Sequence, residues 1–142
     1  MRSDRIDHIG VAVKSIEERL RLYRDLLKLE LTEIEELPER GLKVAFIKAG
    51  DTRIELLEPI AENSQISKFL QTKGEGIHHI AFHVDNISDA IEEALAMDMT
   101  PLSKEPQDGA GGTKIVFLHP KSTGGILVEL VEGFHREGCS NG

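Results

Sequence analysis

Ile6-Asp7-His8-Ile9-Gly10-Val11-Ala12-Val13-Lys14-Ser15-Ile16 is written a second time as Ile77-His78-His79-Ile80-Ala81-Phe82-His83-Val84-Asp85-Asn86-Ile87, 71 residues later (79 − 8). At the same offset Val44-Ala45-Phe46-Ile47 meets Ile115-Val116-Phe117-Leu118. At an offset of 74 (129 − 55) Ile54-Glu55-Leu56-Leu57-Glu58 meets Val128-Glu129-Leu130-Val131-Glu132. An internal duplication limits the fold more than any single motif, because whatever one copy forms the other must form too. Each copy carries a histidine near its start and a glutamate near its end, and two half-sites of His plus Glu suggest one metal.

Hydrophobic periodicity gives both copies the same order of elements. Residues 6 to 13 alternate, with Ile9, Val11 and Val13 on one face and His8, Gly10 and Ala12 on the other, the period of a half-buried strand. Ser15 then caps a helix, with Glu18 completing a capping box, and Ile16, Leu20, Tyr23 and Leu27 recur at helical spacing. Asn86 and Asp89 repeat that start in the second copy. Strand-like runs follow at 29–33, 43–49 and 53–57, and again near Pro101-Leu102, at 114–119 and at 126–131. Gly50-Asp51 and Ser122 to Gly125 are hairpin turn signals. Each copy therefore reads β-α-β-β-β, with modules at 5–60 and 75–132, a linker at 61–74 holding a short helix from Gln65 to Lys73 that Gly74 ends, and a polar tail at 133–142. The expected fold class is α+β, two tandem βαβββ modules pairing into one curved, cup-like mixed sheet.

At 142 residues, 30% of them charged, the chain reads as one globular domain large enough to bury a core. The start, Met1 to Asp7, is polar and lacks an apolar signal region, and no window approaches the roughly 18 apolar residues of a membrane span, so the expected location is the cytoplasm. Cys139 is the single cysteine, lies in the tail and can form no internal disulfide. The net charge of −8 and the lack of a basic stripe with aromatics argue against a nucleic-acid partner. The acidic excess at 30–39 and around Glu92-Glu93 reads as a solvated face.

His8 and His79 fall on first strands, and Glu55 and Glu129 on last strands, so a pseudo-twofold arrangement brings all four to the concave face. Two imidazoles and two carboxylates suit a borderline divalent cation such as Co, Zn, Ni, Mn or Fe. The carboxylates neutralise the ion while leaving it Lewis-acidic, and six-coordination would leave two positions for water or a bidentate substrate, a geometry that favours enolate chemistry. One strand His or Glu alone is more often structural; the matched positions in both copies set these four apart. By strand alternation His78 faces away from His79 and reads as structural, or as a support for a ligand. His83 shares the face of His79 two pleats away, at the cup rim. His119, before Pro120, and His135, in the tail, have no copy in the first module. Gly109-Ala110-Gly111-Gly112 does not link a strand to a helix as phosphate loops do and reads as a flexible loop over the cup.

These residues resemble the vicinal oxygen chelate superfamily of paired βαβββ modules, which includes glyoxalase I, extradiol dioxygenases and methylmalonyl-CoA epimerases, over about residues 5–132. The segments Asp7 to Val13, Glu55 to Pro59, Ser67 to Leu70, Gly74 to Phe82, Phe117 to Lys121 and Gly125 to Leu130 are similar to the methylmalonyl-CoA epimerase family, with the double histidine His78-His79 and the turn His119-Pro120-Lys121 as the specific parts. The resemblance implies a divalent metal held by His8, Glu55, His79 and Glu129, although some members have Gln at the place of Glu55. It implies an acyl-CoA substrate, epimerisation at C2 through a metal-stabilised thioester enolate, Glu129 as one catalytic base, and a homodimer. Some members are proposed to use Glu at the position of Val44; since Val transfers no proton, the second base here must be another residue, a water or a metal ligand such as Glu55. Lys114 and Lys121 could meet CoA phosphates, although solvated surface lysines are the plainer reading.

A glyoxalase I-like isomerisation of a methylglyoxal-thiol hemithioacetal is the alternative, because bacterial glyoxalases are similar in using His, Glu, His and Glu. Glyoxalases usually carry a single His after an aromatic residue and an Asp-Pro-Asp-Gly turn, where this chain has His78-His79 and His119-Pro120-Lys121-Ser122. A dioxygenase would need the position that the second carboxylate fills. A non-catalytic small-molecule binding protein of the same fold is a further alternative.

Overall fold

The structure is a computed structural model and describes residues 2–134; His135 and Cys139 lie outside the described residues. The chain divides into two compact units, one formed by His8–His78, the other by the segment up to Asp7 together with that from His79 onward.

In the first unit the strand β1 (Ser3–Ala12) enters at His8 and is followed by α1 (Ile16–Leu20), β2 (Glu30–Leu37), β3 (Leu42–Ala49), β4 (Thr52–Pro59) and α2 (Gln65–Lys73). β2, β3 and β4 form an antiparallel meander, and β4 pairs with β1 in parallel, from His8↔Arg53 to Ala12↔Leu57. Ser15 caps α1 through its side chain, which accepts the N–H of Glu18, as the sequence predicts. Ile16 and Leu20 turn inward onto Val13, Ala45, Ile47 and Leu56. Past Leu20 the helix loosens into a π-helical stretch, Arg21–Leu26, which shifts its side chains round the axis. Tyr23 still packs on the core, whereas Leu27, expected to face inward with it, is exposed.

A bulge at Thr32, between Leu31 and Glu33, flips the outer strand. Leu31 stands opposite Ile47 on the helix-covered face, but Glu33 and Glu35 stand opposite Phe46 and Val44 on the other face. The acidic run at 30–39 is therefore not simply a solvated surface: Glu35 is only 8% exposed.

The second unit repeats the pattern with β5 (Gly76–Val84), which joins this unit at His79, then α3 (Ile87–Ala96), β6 (Gln107–Asp108), β7 (Lys114–Leu118) and β8 (Val128–Glu132). β6–β7–β8 is again antiparallel and β8 pairs with β5 in parallel. Asn86 caps α3 by accepting the N–H of Asp89. Ile87, Ala90, Ile91 and Ala94 pack on Val116, Leu118 and Leu130.

Three expectations need correction here. The sixth strand is Gln107–Asp108; Pro101 makes only an isolated bridge to Leu118, because proline cannot donate to a ladder. β8 starts at Val128 rather than Ile126, since Gly124 and Gly125 both take positive φ and hold the preceding residues in a turn. The segment 109–112 is a compact connection between β6 and β7, closed by the N–H of Gly109 donating to the carbonyl of Thr113 at 2.9 Å. A Cβ on Gly109 would come within 2.5 Å of Ile115 Cγ2, so this glycine is required by close approach.

Candidate functional site

The register of the parallel pairs sets where histidine and glutamate meet. Glu55 stands opposite Gly10, two residues beyond His8, and Glu129 stands opposite Ala81, two residues beyond His79. Residues i and i+2 of a strand share a face, so each glutamate sits diagonally next to its histidine with a small residue between them. The outer neighbours repeat as well, Phe46 beside Glu55 and Phe117 beside Glu129. The two units thus build the same row on the face away from their helices, Phe46–Glu55–Gly10 in one and Phe117–Glu129–Ala81 in the other.

Side-chain geometry follows. In the first unit His8 Nδ1 lies 3.3 Å from Glu55 Oε2, and both residues are buried. In the second, His79 Nε2 lies 3.1 Å from Glu129 Oε1, again with both buried. Ligands held at about 2.1 Å from a cation are about 3.0 Å apart at 90° and about 3.4 Å apart at the tetrahedral angle, so each pair has the separation of two atoms sharing an ion. A hydrogen bond within the pair has similar length. Imidazole plus carboxylate, both withdrawn from water, is a donor set that a borderline divalent cation takes.

Arg53 is a participant the sequence reading missed. It stands opposite His8, and its Nη2 lies 3.1 Å from the Glu55 oxygen that faces His8. The Arg-x-Glu spacing on a strand was the available signal, since i and i+2 share a face. The second unit has Leu127 two residues before Glu129, so this cation belongs to one copy alone.

The other histidines take distinct places. His78 packs edge-on against Phe69, with ring centroids 5.1 Å apart. His83 is buried, its Nδ1 2.8 Å from Asp4 Oδ1, and its ring stacks on Phe134. That contact holds Asp4 below the ordinary carboxylate pKa, chiefly through the hydrogen bond. His119 caps the turn Pro120–Ser122, its Nδ1 accepting the N–H of Lys121 at 3.0 Å. Lys114 pairs with Asp108.

The second glutamate of each repeated strand end has a separate job. Glu58 Oε1 accepts the N–H of Ile16 at 2.7 Å, and Glu132 Oε1 accepts that of Ile87 at 2.9 Å. Three residues from Glu55 and Glu129 respectively, they fall on the helix-covered face and satisfy the first turns of α1 and α3.

Residues 7–117 match the Glyoxalase/Bleomycin resistance protein/Dioxygenase superfamily, which defines the class of protein and its glyoxalase-like fold; the superfamily and the buried His and Glu side chains are compatible with a divalent metal. The chain is 43% identical over 127 residues to the mouse mitochondrial methylmalonyl-CoA epimerase, covering 89% of this chain and 71% of that one. It is 40% identical over 130 residues to the ethylmalonyl-CoA/methylmalonyl-CoA epimerase of Cereibacter sphaeroides, covering 89% and 96%. A Streptomyces coelicolor methylmalonyl-CoA epimerase variant in complex with 2-nitronate-propionyl-CoA superposes with a TM-score of 0.88 at 35% identity, covering 93% of this chain and 99% of the other. The chain belongs to the methylmalonyl-CoA epimerase family of that superfamily. No helix among the described residues is long and apolar enough to cross a membrane.

Proposed function

We propose that this chain epimerises methylmalonyl-CoA at C2, using one divalent cation held by His8, Glu55, His79 and Glu129. The observation that carries the reading is the pair of buried His–Glu contacts in identical register in the two units. Relatives named for this reaction, and a solved relative in complex with an acyl-CoA nitronate, supply the substrate class. When bound, a borderline cation of the Co, Zn, Ni, Mn or Fe group polarises the thioester carbonyl and acidifies the C2 proton.

The chain's own residues do the rest. His8 and His79 are the neutral donors; Glu55, tied to Arg53, is the fixed carboxylate. Glu129 is the carboxylate that takes the C2 proton. Gly10 and Ala81 keep the floor next to each His–Glu pair low enough for a substrate. Modules at 5–60 and 75–132, homodimer assembly and a cytoplasmic location complete the proposal.

The test is proton NMR of methylmalonyl-CoA in D2O with metal-free protein, then with protein reloaded with Co or Mn, against a metal-only control. Loss of the C2 proton signal that depends on both protein and metal is the expected result; no exchange with the reloaded protein would overturn the proposal and turn attention to methylglyoxal-thiol adducts.

A further inference from the structure

We infer that Nε2 of His83 accepts a hydrogen bond from the amide N–H nearest the thioester of the acyl-CoA substrate, an inference that rests on the epimerase reading above. Nothing yet assigned recognises the carrier half of such a substrate. Every acyl-CoA presents the same chemistry there, since two methylenes and an amide follow the thioester sulfur.

Of the buried histidines His8, His79 and His83, the last is the one the proposed chemistry leaves unused. On β5 it shares a face with His79 and Ala81, as alternate residues of a strand do. His83 stands opposite Val131, and Ala81 stands opposite Glu129. His79 and His83 therefore flank Glu129 on its two diagonals, one 3.1 Å from its carboxylate and the other further along the same face. All of these residues belong to one compact unit.

The ring of His83 is held from two sides. Nδ1 lies 2.8 Å from Asp4 Oδ1, and Phe134 stacks on the imidazole with centroids 4.9 Å apart. Arg5 in turn lies over the Phe134 ring, 5.0 Å from its centroid. Asp4 is kept below the ordinary carboxylate pKa, chiefly by the His83 hydrogen bond, so it is the acceptor and Nδ1 carries the proton. In the neutral ring Nε2 is then an acceptor. Nδ1 is bonded to Cγ, whereas Nε2 sits at the far end of the ring, so the acceptor is the nitrogen that projects farther from the strand over this face. Nε2 has no hydrogen-bond partner among the described residues.

Reach agrees with this assignment. At about 3.3 Å per residue, His83 lies about 7 Å along the strand from Ala81 and from the Glu129 beside it. From C2 the substrate runs through the thioester carbon, the sulfur and two methylenes to the amide nitrogen, five bonds that span about 6–7 Å when extended. A substrate whose C2 proton meets Glu129 thus brings its first amide N–H to His83. The sulfur and methylenes pass over Ala81 and Val131, which form an apolar cluster with Ile115 and Phe117.

The duplication adds a reason for this residue. Its ligands come in matched pairs, yet the substrate has a carboxylate at one end and a thioester at the other. Telling the ends apart requires a group that one unit has and the other lacks. Position 83 matches position 12 at the offset of 71, and Ala12 has no acceptor on its side chain. His83 thereby assigns the thioester end to the second unit.

The experiment compares two methylmalonyl thioesters on full-length, metal-loaded protein. One is the thioester of N-acetylcysteamine; the other is its ketone analogue, in which CH2 replaces the amide NH. C2 exchange in D2O, followed by NMR, gives kcat/KM for each. Wild type is expected to prefer the amide thioester by about 3- to 10-fold, the effect of one neutral hydrogen bond, and to do so through KM. His83→Phe, which keeps a ring for Phe134 to stack on, is expected to remove the preference. A histidine with only a structural role would lower both rates by the same factor and leave their ratio in place. The readout is a ratio within one protein, so His83→Leu serves in the same way should His83→Phe fail to fold. A wild type that takes both thioesters equally, or an amide preference that survives the loss of His83, would overturn the assignment and leave the epimerase reading intact. Absence of exchange of methylmalonyl-CoA itself in the wild-type protein would overturn both.

Discussion

His79 and Glu129 meet with 3.1 Å between Nε2 and Oε1, both buried, because the parallel register sets the glutamate one diagonal step from the histidine. Replacing Glu129 with Gln keeps the shape and an oxygen donor but removes the carboxylate proposed as the base. The variant is expected to slow C2 proton exchange by about 10²- to 10⁴-fold. Metal content measured on the purified protein should fall less in Glu129→Gln than in His79→Ala, which deletes a ligand outright. Equal rates in Glu129→Gln and wild type would remove the base role.

Chelation tests the same centre through stability. A ligand that binds only the folded protein stabilises it by about 2.7 kcal/mol when present at 100 times its Kd. For a chain of this size that corresponds to a melting temperature about 5–10 °C higher with Co or Mn than after EDTA treatment. His8→Ala should flatten the difference. An unchanged melting curve across metal loading in the wild type would count against the four-residue site.

Arg53 and Glu55 form a part-buried contact, and the position matching Arg53 in the second unit is Leu127. Arg53→Leu leaves the Glu55 carboxylate with one donor fewer, which costs about 1–3 kcal/mol in the metal-free protein. A bound cation can take over as counter-charge, so the deficit should shrink on metal loading. Melting of wild type and variant, each with and without metal, reads this directly; a deficit that ignores metal would separate Arg53 from the ion.

The two His–Glu pairs of the candidate site were legible in the sequence for the same reason that their surroundings were not. Duplication marks His8, Glu55, His79 and Glu129 because a copied position shows against its counterpart, and strand alternation then gives their face. Glu58 and Glu132 were copied too, yet copying alone does not tell a helix-capping carboxylate from a ligand-type one. The distinction is the three-residue step that puts them on the helix face. Arg53 breaks the symmetry, so the duplication is silent on it. The burial of Glu35 depends on the Thr32 bulge, a one-residue change of register that a period-two pattern does not anticipate. The misplaced sixth strand has a related cause, since Gln107–Asp108 is only two residues long and carries no apolar signal.

The capping glutamates give a prediction that separates stability from chemistry. Glu58→Ala and Glu132→Ala each leave a first-turn N–H of α1 or α3 without its carboxylate, at a cost of about 0.5–2 kcal/mol. Urea unfolding should show the loss in both variants, while metal-dependent C2 exchange of the folded protein stays at the wild-type rate. A drop in exchange without loss of stability would place either residue at the site face instead.

Glu75 supplies a pH-dependent tie within the first unit. The N–H of Lys14 donates to Oε1 at 2.8 Å and Arg19 Nη2 reaches Oε2 at 3.2 Å. Chiefly through the Lys14 hydrogen bond, this holds the carboxyl below its ordinary value of 4.5. A carboxyl whose folded-state pKa is depressed stabilises the fold above the unfolded value, and that contribution is lost as the pH falls through the folded value. Metal-free wild type should therefore melt above Glu75→Gln at pH 7, with the gap closing progressively below about pH 4.5 as the carboxylate protonates. A gap of constant size from pH 7 down to pH 3 would show that the charge on Glu75 does not contribute, leaving only the shape of the side chain and its hydrogen bond to Lys14.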